Sequence, residues 1–382
     1  MGDPTMVMLI DGNAILNVIT NVVVYGIRGN SNFDLSYIMV GDRMILKDSS
    51  KQLFRNSMLK YLTSIVTPFG RGLDAIYFAF DSVSWRKFYI EKYFQRHSEL
   101  AGFTYKGHRK SDDSKREMYM FFSYFANEIM PELLRISGIH SIRVKGTEGD
   151  DVIAVLDEII DDDKIIWTVD SDINQLVRVN GKFTIVIGPK NKKNKLRRLV
   201  IPEGYDKKSG LMDFSVDNYG LGQIVKYLTT EKEYEAIMVD PNELTLRKII
   251  MGDLKSDNIP GIYVRISESN RRMGITDAKA DKILCEIEPE FPRSSWLNSI
   301  DSGDLQFVTA IVAATVKAVG VKNDQLEEIT NNFMLNRRLI RLSSHTIPPE
   351  MVRMVKYKYS LLDQSKKFDY NAYLEYAYVT DN

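Results

Sequence analysis

Thr147-Glu-Gly-Asp-Asp-Val-Ile-Ala-Val-Leu156, TEGDDVIAVL, sets Glu148, Asp150 and Asp151 at the head of an apolar run, with no basic residue among them. The pattern predicts a helix over Asp151–Ile160. Acids suit a helix start, because its exposed N–H groups and its macrodipole favour negative charge, and Thr147 is placed to cap it. That reading requires no chemistry. The surrounding sequence decides whether it is sufficient.

Upstream and downstream lie short apolar runs with the length and flanks of buried parallel strands: Val7–Ile10, Ala75–Phe80, His140–Val144 and Ile165–Val169. Helical patterns alternate with them at Ala14–Tyr25, Leu53–Val66, Glu117–Ser137 and Asp151–Ile160. The alternation predicts an α/β fold, a twisted and mainly parallel sheet flanked by helices. Phe183–Ile187 reads as a further strand, from which PKNKKNKLRRLV returns as a basic hairpin through Leu199–Ile201. Beyond about Asp217 helical periodicity takes over. The expected domains are therefore 1–215, an α/β core, and 216–382, a helical part.

With 382 residues, 44% hydrophobic and 27% charged, the chain has the composition of a globular protein with a sizeable core. Its 51 basic and 51 acidic residues balance, so net charge points to no partner and only local distribution can. One cysteine, Cys285, excludes an internal disulfide; it suits a reducing, cytoplasmic setting and reads as a buried structural thiol. No run reaches the roughly 18 apolar residues of a membrane span, and no signal peptide is expected.

Each strand candidate leads to an acid: VMLI to Asp11, IYFAF to Asp81, IIWTV to Asp170 and Asp172, and the strand before KGT to Glu148, Asp150 and Asp151. In an open parallel sheet the carboxyl ends of the strands share the edge where ligands bind. A single Asp at a strand end is an ordinary turn former, but seven carboxylates on one edge are not. Two unit charges about 4 Å apart repel by roughly 4 kcal/mol at an effective dielectric near 20. No neutralising base is read among the motifs, so divalent cations are expected. Oxygen donors without a zinc-spaced Cys/His pair favour Mg2+, with Mn2+ able to substitute. Two such ions form a common device for phosphodiester hydrolysis. The acids at 148–151 are thus expected both to start a helix and to hold metal.

At these residues the chain resembles the flap endonuclease and 5′→3′ exonuclease superfamily, nearest in look to the T-even bacteriophage ribonuclease H type. The matching elements are LIDGN, FAFDSVSWRK, YKGHRK, TEGDDVIA, TVDSDINQL and MGDLKSDNIPGI, across residues 9–262. The resemblance implies a PIN-like nuclease core, a helical arch at about 84–125, and a helix–three-turn–helix element at about 243–286. It implies that Asp11, Asp81, Glu148 and Asp150 surround one metal ion. Asp170, Asp172, Asp253 and Asp257 would surround the second, with Asp151 bridging or acting through water. Arg86 and Lys106 would touch the scissile phosphate, and Tyr105 would stack on a nucleobase. Lys87, Arg109, Lys110, Lys192 and Lys193 are the expected phosphate contacts. Asn258 and Gly261 belong to a loop that would cradle a duplex phosphate with a K+ ion. The chain departs from the family in the extra residue of GDLKSDN, a longer span between Asp81 and Lys106, and YVRISESNRRM interrupting the helical hairpin.

Between Trp85 and Arg116 nine basic residues face four acids, interleaved with aromatics, which suits phosphates and unpaired bases. Phe88 and Phe94 read as the core side of an amphipathic helix. Lys190–Arg198 holds six basic residues in nine and reads as a loop near phosphate. The four histidines are not needed as bases; His108 alone lies near a motif, as a solvated residue.

The implied activity is a monomeric, metal-dependent 5′ nuclease, both 5′→3′ exonuclease and flap endonuclease, with ribonuclease H activity. Its substrates would be branched or nicked DNA and RNA–DNA hybrids with 5′ ends. Primer removal is the implied use, beside a single-strand-binding protein and a replicative polymerase, without a membrane. The alternatives are a catalytically silent scaffold that binds branched DNA, and a phosphatase reading DSD as its motif, for which no partner lysine is evident.

Overall fold

Burial in β1 (Met6–Asp11) alternates between two cores, and this sets the architecture. Met6, Met8 and Ile10 enter one apolar cluster while Val7 and Leu9 enter another. A strand whose two faces are both covered belongs in the middle of a layered α/β fold. The computed structural model describes residues 6–29, 36–41, 43–97, 103–107, 113–180, 182–191, 193, 195–203, 233–265, 272–320 and 325–379. Arg109, Lys110, Lys192, His108, residues 98–102 and 108–112 of the expected arch, and the boundary near 215 lie outside them.

After β1 come α1 (Gly12–Gly29), a small hairpin of β2 (Tyr37–Val40) and β3 (Arg43–Leu46), α2 (Asp48–Val66), β4 (Ala75–Phe80), α3 (Trp85–Arg96) and α4 (Asp113–Tyr124). A π-helical turn at Phe125–Ile129 continues α4 into α5 (Met130–Leu133). Then follow β5 (Ile139–Arg143), α6 (Gly149–Ile159), β6 (Asp163–Trp167), β7 (Arg178–Asn180), β8 (Lys182–Lys190), β9 (Arg197–Pro202) and β10 (Tyr234–Val239). The eight-stranded sheet has the order β10-β9-β8-β6-β1-β4-β5, with β7 paired to β8. β1 runs parallel to both β4 and β6. β8 and β9 are antiparallel, joined through the basic turn, as the hairpin reading expects. The β2–β3 hairpin and β10 were not anticipated. β10 pairs parallel to β9, so one strand of the sheet lies within the segment expected to be helical.

The remainder is helical: α7 (Pro241–Met251), α8 (Asp277–Ile287), α9 (Trp296–Ser302), α10 (Leu305–Val319), α11 (Leu326–Ile340), α12 (Pro349–Ser360) and α13 (Tyr370–Val379). α7 to α11 enclose a third core around Leu246, Ile250, Ile283, Trp296, Phe307 and Phe333. Between α7 and α8 run two minimal hairpins, β11 (Gly252–Asp253) with β12 (Ile259–Pro260), and β13 (Tyr263–Arg265) with β14 (Arg272–Gly274). The second is where YVRISESNRRM interrupts the helical pattern. The last two helices return to the sheet: Val352 and Val355 of α12 join the α6 side, and Tyr373 of α13 joins the α2 side.

Two packing expectations are corrected. Cys285 is exposed, because Ile283, Leu284 and Ile287 take the buried face of α8 and leave it on the other side. Phe88 is 57% exposed, whereas Phe94 packs against the third core. Among the described residues no single helix is long and apolar enough to cross a membrane.

Candidate active site

The carboxyl ends of β6, β1, β4 and β5 lie side by side. The chain leaves β1 for β4 on one side and later returns to β6 on the other, which makes the β1–β6 boundary a topological switch point. Asp11, the last residue of β1, sits there. Its Oδ1 accepts from Ala14 N at 2.9 Å and its Oδ2 from the Thr168 hydroxyl at 2.8 Å. The same hydroxyl accepts from Asp170 N at 3.0 Å, and Asp170 Oδ1 accepts from Asp172 N at 2.8 Å. Thr168 therefore ties the acids after β6 to the acid of β1. On the other flank Asp81 Oδ1 accepts from Gly149 N, 2.7 Å away, at the first turn of α6. A side chain at Gly149 would place its Cβ 3.1 Å from that oxygen, so the close approach uses the glycine.

α6 begins one residue later than a Thr147 cap would imply. The Thr147 hydroxyl donates to Val144 O, and Glu148 occupies the capping position with its N–H donating to Asp151 Oδ2 at 3.0 Å. Asp151 is fully buried. Its carboxylate takes a two-point contact from Arg86, at 2.8 and 3.0 Å, and a bond from Trp85 Nε1 at 3.1 Å. Its oxygens are engaged in holding Arg86 and Trp85, so of the two roles expected from sequence, bridging two ions or acting through water, the structure shows Asp151 in neither and places it behind the site.

Among the described residues Arg86, Lys106 and Lys248 form ion pairs with the site's carboxylates, which overturns the expectation that no base neutralises them. Arg86 is 1% exposed, pairs with Glu148 at 3.0 Å as well as Asp151, and donates through Nε to Leu339 O at 2.9 Å. It is buried behind the site rather than presented to a phosphate. Lys106 pairs with Glu148 and approaches Asp257 at 3.6 Å. Lys248, from α7, pairs with Asp172 and, at 2.7 Å, with Asp253. Sequence reasoning missed Lys248. Its signal was there in LRKIIMGD, a lysine just over one helical turn ahead of the acid motif.

Tyr105 is 2% exposed, with its hydroxyl 2.7 Å from Glu148 Oε2 and 3.0 Å from Asp257 Oδ2. A ring buried with the third core has no face to offer a base, contrary to the stacking role. Asp257 therefore meets the Glu148 side of the site through Tyr105 and Lys106, while Asp253 meets Asp172 through Lys248. Lys87 and Lys193 are exposed. Asn258 lies in the left-handed region (φ 58°), and Gly261 passes so close to Met251 O that a Cβ would lie 2.3 Å from it.

Burial and crowding push several of these acids toward protonation. Burial raises Asp11 to about 7, helped by Asp81 and Asp170 and opposed by its two hydrogen bonds. Burial and Asp170 raise Asp172 to about 6 against the pull of Lys248. Asp150 goes up through burial and Asp151, and Asp81 through burial, which outweighs the bond from Gly149. Glu148 moves the other way. Burial would raise it, but Arg86 and Lys106 hold it down to about 2.

The chain resembles flap-endonuclease and 5′-exonuclease structures. It is similar to the D15 protein of bacteriophage T5 co-crystallised with metal ions, with 13% identity and a TM-score of 0.48, over 92% of this chain and 97% of that one. The D15 flap endonuclease of bacteriophage T5, in a pseudo-enzyme–product complex with DNA and metal ions, gives 14% and 0.45 over the same shares. The catalytic core of Rad2 in complex with a DNA substrate gives 12% and 0.32, over 99% of this chain and 92% of that one. No protein-family model and no curated protein matches the chain.

Among the described residues no three His, Cys, Asp or Glu side chains stand around one point as they would around an ion. The donor chemistry nonetheless suits a hard divalent cation. The carboxylates are crowded and largely buried, Asp11, Asp81, Asp150 and Asp172 are pushed toward protonation, and in the second group an ammonium occupies the place between two of them.

Proposed function

We propose that the protein is a metal-dependent 5′ nuclease of the flap-endonuclease type, acting on DNA flaps and 5′ ends and on RNA–DNA hybrids. The observation that carries the reading is the meeting of acids from both parts of the chain. Asp11, Asp81, Glu148, Asp150, Asp170 and Asp172 come from the sheet edge, and Asp253 and Asp257 from the loop after α7. Asp11, Asp81, Glu148 and Asp150 would hold one Mg2+ or Mn2+ ion; Asp170, Asp172 and Asp253 the other, with Asp257 beside Glu148. Such ions supply a hydroxide nucleophile and neutralise charge on the transferring phosphoryl group.

The chain's own groups do the rest. Lys106, about one-fifth exposed, is the cation on the Glu148 side that can meet a phosphate. Arg86 and Asp151 fix the start of α6 from behind. The exposed Lys87 and Lys193, together with Arg109, Lys110 and Lys192, draw the nucleic-acid backbone toward an otherwise acidic pocket. The segment Asn258–Gly261, which contains β12, would cradle a duplex phosphate with its backbone, with K+ as the accompanying ion. Primer removal with a polymerase and a single-strand-binding protein suits that specificity. The natural state is a monomer in the cytoplasm.

A 5′-labelled flap substrate should yield short products in Mg2+ or Mn2+, none in EDTA, and none with Asp150→Asn, which should still bind the flap. A second reading, a scaffold that binds branched DNA without cutting it, draws on the lysines that already neutralise the carboxylates. Binding without cleavage in both metals would select it.

A further inference from the structure

Lys248 differs from the other two cations in what it joins. Arg86 is buried, held by four hydrogen bonds and walled in by Trp85, so it cannot leave. Lys106 serves Glu148, which keeps Arg86 and Tyr105 if Lys106 moves away. Lys248 instead pairs with Asp172, on the 3₁₀ turn after β6, and with Asp253, at the start of the loop after α7. These two acids come from opposite sides of the seam between the sheet and the helical part. The Lys248 side chain is 20% exposed, so a path out of the seam exists. Asp170 and Asp253 both bear unfavourably on Asp172, and Lys248 is the cation that offsets them.

We propose that Lys248 is an exchangeable internal counter-ion, which closes the Asp172–Asp253 seam before a divalent ion arrives and must be displaced for that ion to bind. This rests on the metal-dependent reading given above and adds a regulating residue to it. An ammonium and a divalent ion cannot share the same two carboxylate oxygens, because like charges at such separations repel strongly. Lys248 is therefore a positioning residue in the metal-free protein and a competitor for the second ion. Displaced, it becomes a free positive charge beside the site.

The test is Mn2+ binding to the full chain without DNA, followed by electron paramagnetic resonance of the free ion. Lys248→Met should bind its weaker Mn2+ roughly tenfold more tightly than the parent, within the usual range of coupling between two sites, while Lys248→Arg stays close to the parent. In EDTA Lys248→Met should melt at a lower temperature, and Mn2+ should restore it. A measurement on the unaltered protein guards against misfolding of the variant. Lys248 should react slowly with an amine-directed reagent in EDTA and several-fold faster in Mn2+, as read by mass spectrometry. Equal or weaker Mn2+ binding by Lys248→Met, or Lys248 reactivity that ignores Mn2+, overturns the counter-ion and leaves the nuclease reading standing. If neither protein binds Mn2+, both fall together.

Discussion

Asn258 donates its side-chain amide to the main-chain carbonyl of Thr104, 2.9 Å away. Lys106 N donates to Asp257 O at 2.8 Å beside it, and the Tyr105 hydroxyl lies between Glu148 and Asp257. Residues 103–107 are thereby latched to the loop after α7, and both Lys106 and Asn258 adopt left-handed backbone to make the fit. Tyr105→Phe separates the two roles open to this ring. A stacking ring tolerates Phe, since every base offers a π-face. A buried phenol bonded to carboxylates does not: the loss should be about 1.5–3 kcal/mol, the usual worth of a hydrogen bond to a charged group. Urea unfolding of Tyr105→Phe in EDTA reads the difference, and a change below a few tenths of a kcal/mol would return Tyr105 to the stacking role.

Asp11 makes the metal-free protein pH-sensitive. Its folded-state value of about 7 lies above the ordinary 3.8, so between those values the folded protein holds a proton that the unfolded chain has released. The contribution of Asp11 to stability is therefore greatest at and below about pH 4 and is lost as pH rises toward 7. Asp11→Asn removes the titration. In EDTA it should stabilise the protein at pH 8 relative to the parent by an amount on the order of 1–3 kcal/mol, by roughly a third of that at pH 5, and by little at and below about pH 4. Thermal melts of both proteins across that range check the slope. A parent whose stability is flat with pH in EDTA would rule the effect out.

Arg86 and Asp151 form a buried pair whose halves depend on each other. Removing one partner strands the other charge and should cost about 3–5 kcal/mol, so Arg86→Met and Asp151→Asn are each expected to unfold at markedly lower urea. Lys87, the next residue and exposed, should change stability by less than about 0.5 kcal/mol when replaced by Ala, yet weaken nucleic-acid binding in a salt-dependent way. Urea melts combined with flap binding at two salt concentrations distinguish the pair. Equal behaviour of the two residues would contradict the assignment of Arg86 to the interior.

Much of the sheet was legible because its central strands are fully buried. Ala75–Phe80 and the runs around β1, β6 and β8 stand out as apolar segments bounded by turn residues, and the acids after β1, β4 and β6 follow from parallel pairing alone. β10 was not legible. YEAIMV includes Glu235 and exposed Ile237 and Met238, so an edge strand lacks the run of apolar residues that marks a central one. β2 and β3 fail for the same reason, with Ile38, Met39, Val40 and Ile45 largely exposed. In the site, the acids were found but not their partners. Arg86 and Tyr105 were assigned outward roles because residue type carries no information on direction. Lys248 was overlooked because it reaches Asp172 across 76 residues of sequence.

Gly252 tests whether the loop carrying Asp253 and Asp257 holds the site in shape. It ends α7 with φ +76°, and a Cβ there would lie 2.2 Å from Gly261 N and 2.5 Å from Ile259 O. Both atoms are backbone, so neither can swing away, and an added methyl must part β11 from β12 and shift Asp253. Gly252→Ala is therefore expected to cost roughly 2–4 kcal/mol, combining the strain of a left-handed alanine with the overlap. The matched control is Gly26, inside α1, where a Cβ meets nothing within 4 Å. Gly26→Ala should stabilise the chain by about 0.5–1 kcal/mol. If the loop positions Asp253 for an ion, Gly252→Ala should also weaken Mn2+ binding in the fraction that remains folded, while Gly26→Ala leaves it unchanged. Calorimetric Mn2+ titrations below the melting point of each variant measure this directly. Unaltered affinity in Gly252→Ala would detach Asp253 from the ion.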